Sequence, residues 1–326
     1  MDQHLIKYLV LPKGIKSIIF KLYVYAIPFL YSLSLSRDHV RDFWQFLFIL
    51  FLFEFVINPA RYQLNDFIDY SEDQQRGRHW KRPVNESNKR KVLLIAGLRF
   101  VLGASVAFYL DIRLGYLALT FLILQILYDL FTKKYIPMLS VLMVSIAYPL
   151  RSLVIFYGLD IKIDRTVYLL LLSIFLYATY MVLQWRKNEA LLIVHEGLVK
   201  KPGTEFFYKP RINLIIFNTM LLFIASFVLS INYLLNIDKG FALLIYAVSV
   251  IFILILILCG ERFLGEVEGQ AHNIFIVAIF VVLTLNKQWI ALLISLITIL
   301  AIFWYHQIYI ERFSKNYFSK GHYDEK

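Results

Sequence analysis

The chain has 326 residues, 60% of them hydrophobic and 17% charged, with a formal net charge of +11. That balance excludes a soluble globular domain and describes a polytopic membrane protein, whose 28 Phe, 22 Tyr and 5 Trp can furnish belts at both lipid–water boundaries. Cys259 is the single cysteine, which excludes a disulfide or a multi-thiolate metal site within one chain.

Taken in order, membrane-crossing apolar stretches are predicted at 17–34, 43–60, 92–110, 114–131, 138–157, 166–183, 212–235, 241–260, 273–285 and 289–310. The fold class is therefore all-α. One membrane domain over residues 1–326 is expected, a bundle of about nine or ten transmembrane helices around a central cavity facing the cytoplasm. The stretch 273–285 is short for a span. The first apolar run is long and lacks a small-residue cleavage site, so no cleavable signal peptide is expected.

Loop charge gives the orientation. With a cytoplasmic N-terminus, Arg76, Arg78, Lys81, Arg82, Lys89, Arg90, Lys91, Lys133, Lys134, Arg186, Lys187, Lys200, Lys201, Lys209 and Arg211 all fall inside, as does the tail with Arg312, Lys315 and Lys320. The other side keeps Arg37, Arg41, Arg113, Lys162 and Arg165. This follows the positive-inside rule. Both termini and the active site are expected on the cytoplasmic face of a prokaryotic inner membrane. The cations are spread over short loops, so no nucleic acid is expected as a partner; membrane lipids are. Two loops on the cytoplasmic side are long, 61–91 and 184–211, and each opens with polar residues that extend a transmembrane helix.

The first loop carries the strongest chemical signal. Asn65-Asp66-Phe67-Ile68-Asp69-Tyr70-Ser71-Glu72-Asp73 places Asp66, Asp69 and Asp73 at i, i+3 and i+7, one face of a helix. Like charges so placed repel. Three carboxylates at a membrane boundary are costly unless a hard divalent cation lies between them, and oxygen-only ligands suit Mg²⁺. Asp66, Asp69 and Asp73 are thus the candidate metal ligands. Arg76, Arg78, His79, Lys81 and Arg82 follow directly. A Mg²⁺ ion bridging carboxylates to a diphosphate, with Arg and Lys neutralising the remaining oxygens, makes diphosphate a leaving group. Each cation taken singly reads equally well as a topology anchor.

The run Asn65-Asp66-x-x-Asp69-x-x-x-Asp73, followed by His79, Lys81, Arg82 and Pro83, resembles the first aspartate-rich motif of the UbiA superfamily of intramembrane prenyltransferases. The helix pattern fits that resemblance over about residues 16–260. It implies an enzyme, a transferase that binds an isoprenoid diphosphate through Mg²⁺ and releases diphosphate. It also implies that Asn65, Asp66, Asp69 and Asp73 hold the metal–diphosphate and that Arg82 touches phosphate.

The second loop lacks the further aspartate cluster typical of the family and carries Gln184-Trp185-Arg186-Lys187-Asn188-Glu189. Together with Tyr148-Pro149-Leu150-Arg151-Ser152, it is similar to the decaprenyl-phosphate phosphoribosyltransferase branch, which uses phosphoribosyl diphosphate as donor and a polyprenyl phosphate as acceptor. Arg151, Arg186 and Glu189 match that branch; Trp185 stands in place of its Lys and Ser140 in place of its Asp. A cationic second site of Arg186 and Lys187 with Glu189 suits a phosphate or a phosphorylated ribose. Arg186 and Glu189 join the three aspartates as candidate catalytic residues.

Arg151 lies in an apolar helix, where a guanidinium needs an anionic partner. That partner is either the substrate or an acid such as Glu54 or Asp129. Lys134 reads as a phosphate contact or a snorkelling anchor, and Lys187 as a phosphate contact. Asp160 and Asp164 read as loop charges on the far side. Glu261, Arg262, Glu266, Glu268 and His272 read as a polar cytoplasmic loop. The apolar piece 190–194 before His195 suggests an amphipathic helix over the site. Three other readings stay open: prenyl transfer to an aromatic or other acceptor, a terpene cyclase on the same scaffold, and a transporter using intramembrane charge.

Overall fold

The computed structural model describes residues 8–10, 12, 24–29, 31–32, 39–71, 84–195 and 203–235. Among these every regular element is helical. The chain runs α1 (His39–Phe51), a π-helical segment (Leu52–Ile57), α2 (Asn58–Ile68), α3 (Lys89–Leu110) and α4 (Ile112–Leu127). A second π-helical segment (Tyr128–Thr132) follows, then α5 (Lys133–Tyr135), α6 (Pro137–Gly158), α7 (Arg165–His195), α8 (Thr204–Tyr208) and α9 (Arg211–Leu235). Five stretches are long and apolar enough to cross a membrane: Val40–Ile68, Lys89–Leu110, Ile112–Thr132, Pro137–Gly158 and Arg165–Lys187. They match predicted spans, extended at their polar ends. The stretches 241–260, 273–285 and 289–310 lie outside the described residues, as does most of 17–34.

Sequence neighbours pack as antiparallel pairs: α3 on α2 and α4, α6 on α7, α7 on α9. Without a water-driven hydrophobic force in lipid, close packing holds such pairs. Gly103 illustrates it: a Cβ there would stand 2.7 Å from Ile57 Cγ1, so α3 approaches the first π-segment as only a small residue permits. Bulky apolar side chains such as Phe43, Leu98, Val101 and Tyr116 face outward, as a lipid-facing surface requires.

The two ends of the bundle differ. At one end Gln45 donates to the Gly158 carbonyl at 2.5 Å, and Arg113 bridges Asp111 at 2.7 Å and Asp160 at 3.0 Å. Asp164 caps α7 through the Val167 N–H at 2.9 Å. Asp160 and Asp164 thus act as pairing and capping residues at the end away from Asp66 and Asp69.

The π-segments have a local cause. Pro59 has no N–H to offer the Phe55 carbonyl and crowds it. The turn before it widens, and the Asn58 N–H bonds back to the Phe53 carbonyl five residues earlier. The Lys133 N–H likewise bonds to the Tyr128 carbonyl, just before Pro137 forces Ile136 out of helical geometry at φ −132°, ψ 85°. Such insertions re-aim side chains and frequent functional sites.

Candidate active site

The aspartate motif occupies the C-terminal end of the Val40–Ile68 span. The helix proper stops at Ile68, and Asp69 forms its C-cap, with its N–H on the Asn65 carbonyl at 2.9 Å. Asp66 and Asp69 are both buried. Tyr8 donates its hydroxyl to Asp66 Oδ2 at 2.9 Å, and Asn65 Nδ2 donates to Asp69 Oδ2 at 2.6 Å. Lys133 Nζ pairs closely with that same Asp69 oxygen. Asp73, Lys81 and Arg82 lie outside the described residues. Among the described residues no group of three acids or other metal-binding side chains forms; the motif contributes two acids there. Their chemistry fits Mg²⁺: both donors are buried carboxylate oxygens, Asn65 adds an amide, and Lys133 shows that Asp69 attracts a cation.

Below the motif a polar stripe descends the same helix. Glu54, Asn58, Arg61, Asn65 and Asp69 recur at steps of three or four residues and span about 22 Å at 1.5 Å per residue. The facing stripe runs from α4 through the second π-segment into α5 as Gln125, Asp129 and Lys133. Glu54 Oε1 accepts from Tyr25 at 2.5 Å, Asn58 at 2.5 Å and Arg151 Nε at 3.0 Å. Arg151 also donates to the Ala147 carbonyl at 2.8 Å and lies over the Phe121 ring, 5.5 Å from its centroid. Of the two acids expected for Arg151, the structure supplies Glu54, not Asp129. Arg61 takes the next step: Nη1 donates to Asn58 Oδ1 at 2.8 Å, Nη2 to Gln125 Oε1 at 3.0 Å, and its guanidinium also covers Phe121, at 4.9 Å. Gln125 Nε2 then donates to Asp129 Oδ2 at 2.7 Å.

The second loop enters at the same level. Its predicted polar residues are helical to His195, so the piece 190–194 ends α7 and is not a separate helix lying across the bundle. Arg186 donates from Nη2 to the Tyr128 hydroxyl at 2.7 Å and lies 5.2 Å from the Trp185 ring centroid. Lys187 is half-buried on the same helix. Glu189 belongs to α7 and Lys134 to α5, but their side chains lie outside the described ones. The structure therefore brings Asn65, Asp66, Asp69 and Arg186 to one end of the bundle, and it places Arg151 a tier deeper with Glu54.

Sequence reasoning missed Lys133, Tyr128, Tyr8, Asn58, Arg61 and Gln125 as parts of the site. Polar residues four apart in apolar helices, Glu54-Asn58 and Gln125-Asp129-Lys133, were the signal for Asn58, Gln125 and Lys133.

The family model for the UbiA prenyltransferase family matches residues 25–271, well over half of the chain. Among similar solved structures is one of digeranylgeranylglyceryl phosphate synthase in membranes. It is 18% identical, with a TM-score of 0.61, and the match covers 92% of this chain and 99% of that one; at that identity the likeness speaks for the fold. No curated protein matches the chain. Enzymes of the family generally use a divalent metal with diphosphate substrates. The helical span architecture, the buried aspartate motif and the family match converge: this is a membrane transferase acting on prenyl substrates, and it belongs to the UbiA prenyltransferase family.

Proposed function

We propose that the chain is a Mg²⁺-dependent transferase that releases diphosphate, with phosphoribosyl diphosphate as donor and a polyprenyl phosphate as acceptor. The observation that carries this reading is the segment from Tyr128 to Lys133. Asp69 contacts it through Lys133 and Arg186 through Tyr128. The aspartate motif and the cationic second loop thus meet on the second π-segment and the first residue of α5. A guanidinium there, instead of further aspartates, suits the phosphate oxygens of a second anionic substrate.

Asp66 and Asp69, with Asp73, would hold the metal, which when bound would neutralise diphosphate oxygens and make them a better leaving group. Lys133 is positioned to exchange Asp69 for a phosphate oxygen. Arg186 would fix the second phosphate. The bond from the ribosyl carbon to the diphosphate breaks, and a phosphate oxygen of the lipid forms the new bond. Burial of Asp66 and Asp69 keeps the charges in a low-dielectric setting where each contact is stronger. The polyprenyl chain lies along the lipid-facing grooves, and the active site opens to the cytoplasm.

The family match favours a second reading, prenyl transfer from a prenyl diphosphate to an acceptor. The test is direct. Purified protein with Mg²⁺ is incubated with labelled phosphoribosyl diphosphate and polyprenyl phosphate, and in parallel with labelled prenyl diphosphates and a lipid extract. Label entering the lipid only in the first incubation supports the phosphoribosyl reading. Label transferred only from a prenyl diphosphate replaces it with the second.

A further inference from the structure

Asp129 is fully buried, and its Oδ1 accepts no hydrogen bond, while Oδ2 accepts only from Gln125. Arg61, on the other side of the same Gln125, has a buried Nε with no acceptor. Neither atom is needed to hold the tier together: Arg61 is anchored through Nη1 and Nη2, and Asp129 through Oδ2. Buried polar groups left without partners are costly and few in native proteins, and here an acceptor and a donor flank one amide.

The surroundings constrain what these two atoms can bind. Among the described residues, the charged groups around Asp129 are Asp69, Lys133 and Arg61. Lys133 and Arg61 disfavour a second cation, and the two carboxylates disfavour an anion. A neutral group that both donates and accepts remains, and on a ribose or an alcohol co-substrate that group is a hydroxyl. Asp129 stands one turn below Lys133, which holds Asp69, and next to Tyr128, which holds Arg186. A hydroxyl attached to a substrate whose diphosphate rests on the aspartate motif is within reach of that tier.

We propose that Asp129 and Arg61, set on either side of Gln125, form a hydroxyl-recognition subsite in which Asp129 Oδ1 accepts a hydrogen bond from a hydroxyl of the co-substrate. The subsite rests on the reading that the diphosphate sits at Asp66 and Asp69. The hydroxyl has two sources, the ribose of phosphoribosyl diphosphate or an alcohol acceptor such as a glycerol phosphate.

Calorimetry on the full chain in detergent with Mg²⁺ tests this with three probes: inorganic diphosphate, phosphoribosyl diphosphate and glycerol phosphate. Asp129→Asn is expected to leave diphosphate affinity unchanged and to weaken the hydroxylic ligand about tenfold, the loss of one hydrogen bond to a charged group. Gln125→Met keeps the carboxylate and removes its anchor, and gives a smaller loss of the same kind if Asp129→Asn fails to fold. A selective loss for phosphoribosyl diphosphate assigns the ribose. A selective loss for glycerol phosphate, with no phosphoribosyl diphosphate binding to the unmodified chain, keeps the subsite and removes the phosphoribosyl reading. Equal losses for diphosphate and hydroxylic ligands, or no loss, overturn the subsite. An unmodified chain that fails to bind diphosphate overturns both.

Discussion

Asp66 and Asp69 differ from ordinary motif carboxylates in being buried before any substrate arrives. Each already holds a donor, Tyr8 and Asn65 respectively, so their positions are set by the fold and not by the ligand. In the proposed metal role, removing either takes away a ligand oxygen. Asp66→Ala and Asp69→Ala are therefore expected to abolish turnover while the protein still inserts and folds, and excess EDTA to abolish turnover of the unmodified enzyme. Full activity of both variants, or indifference to EDTA, removes the metal assignment. Glu54 carries a different burden. It is the carboxylate that directly neutralises Arg151, and both side chains are almost wholly buried. Taking away one partner strands the other charge in a low-dielectric interior, at about 3–5 kcal/mol. Glu54→Leu should lower stability by that order in a denaturant titration in detergent. Glu54→Leu with Arg151→Met should recover most of the loss, because no charge is left stranded. A double variant as unstable as the single one contradicts this.

At the scale of elements, the helices were legible because uninterrupted apolar runs bounded by charges admit no other structure in lipid. The π-segments were not. Leu52–Ile57 has the composition of any buried helix, and only Pro59 marks it. The consequence reaches the site. In an unbroken α-helix, position 132 lies closer than 133 to the face of Gln125 and Asp129. The wider turn from Tyr128 to Thr132 carries Lys133 onto that face, so Lys133, read from the sequence only as a topology cation, pairs with Asp69. Partners across helices, such as Arg151 with Glu54, depend on this phase and on packing. Residue type narrowed the partner of Arg151 to the substrate or an acid such as Glu54 or Asp129, and packing selected Glu54. The connection between α3 and α4 permits a cleaner test. Asp111 ends α3, caps α4 through the Arg113 N–H at 2.6 Å and holds the Arg113 guanidinium. The side-chain hydrogen bonds from Arg113 keep its carboxyl below the ordinary aspartate range. A lowered folded-state value means the contribution is present above the unfolded value, about 3.9, and fades as pH falls through the folded one. Asp111→Asn keeps a capping oxygen but removes the ion pair with Arg113, and should cost about 0.5 kcal/mol near neutrality. The gap in thermal midpoint between it and the unmodified chain should close as pH drops into the acid range. A gap constant with pH denies the ionic part of the cap.

For the whole molecule, the arrangement ties chemistry to one side of the bilayer. Successive spans run antiparallel, so the end holding Asp69, Lys133 and Arg186 is opposite the end holding Asp111, Asp160 and Asp164. The cations in the sequence divide along the same lines. Most fall in the loops adjoining the first group, and fewer in the loops adjoining the second. By the inside rule for Lys and Arg, the proposed reactive end would be cytoplasmic, where the proposed phosphoribosyl diphosphate donor would reach it from water while the prenyl chain stays in the bilayer. Single cysteines introduced into a Cys259→Ala background test this with a membrane-impermeant thiol reagent on inverted and right-side-out vesicles. Cysteines at Asp73, Lys81, Arg186 and Lys201 should react only from the cytoplasmic side, and one at Lys162 only from the other. Labelling of the Asp73 and Arg186 positions from opposite sides would separate the two halves of the proposed site and end the shared-site mechanism, whatever the substrates prove to be.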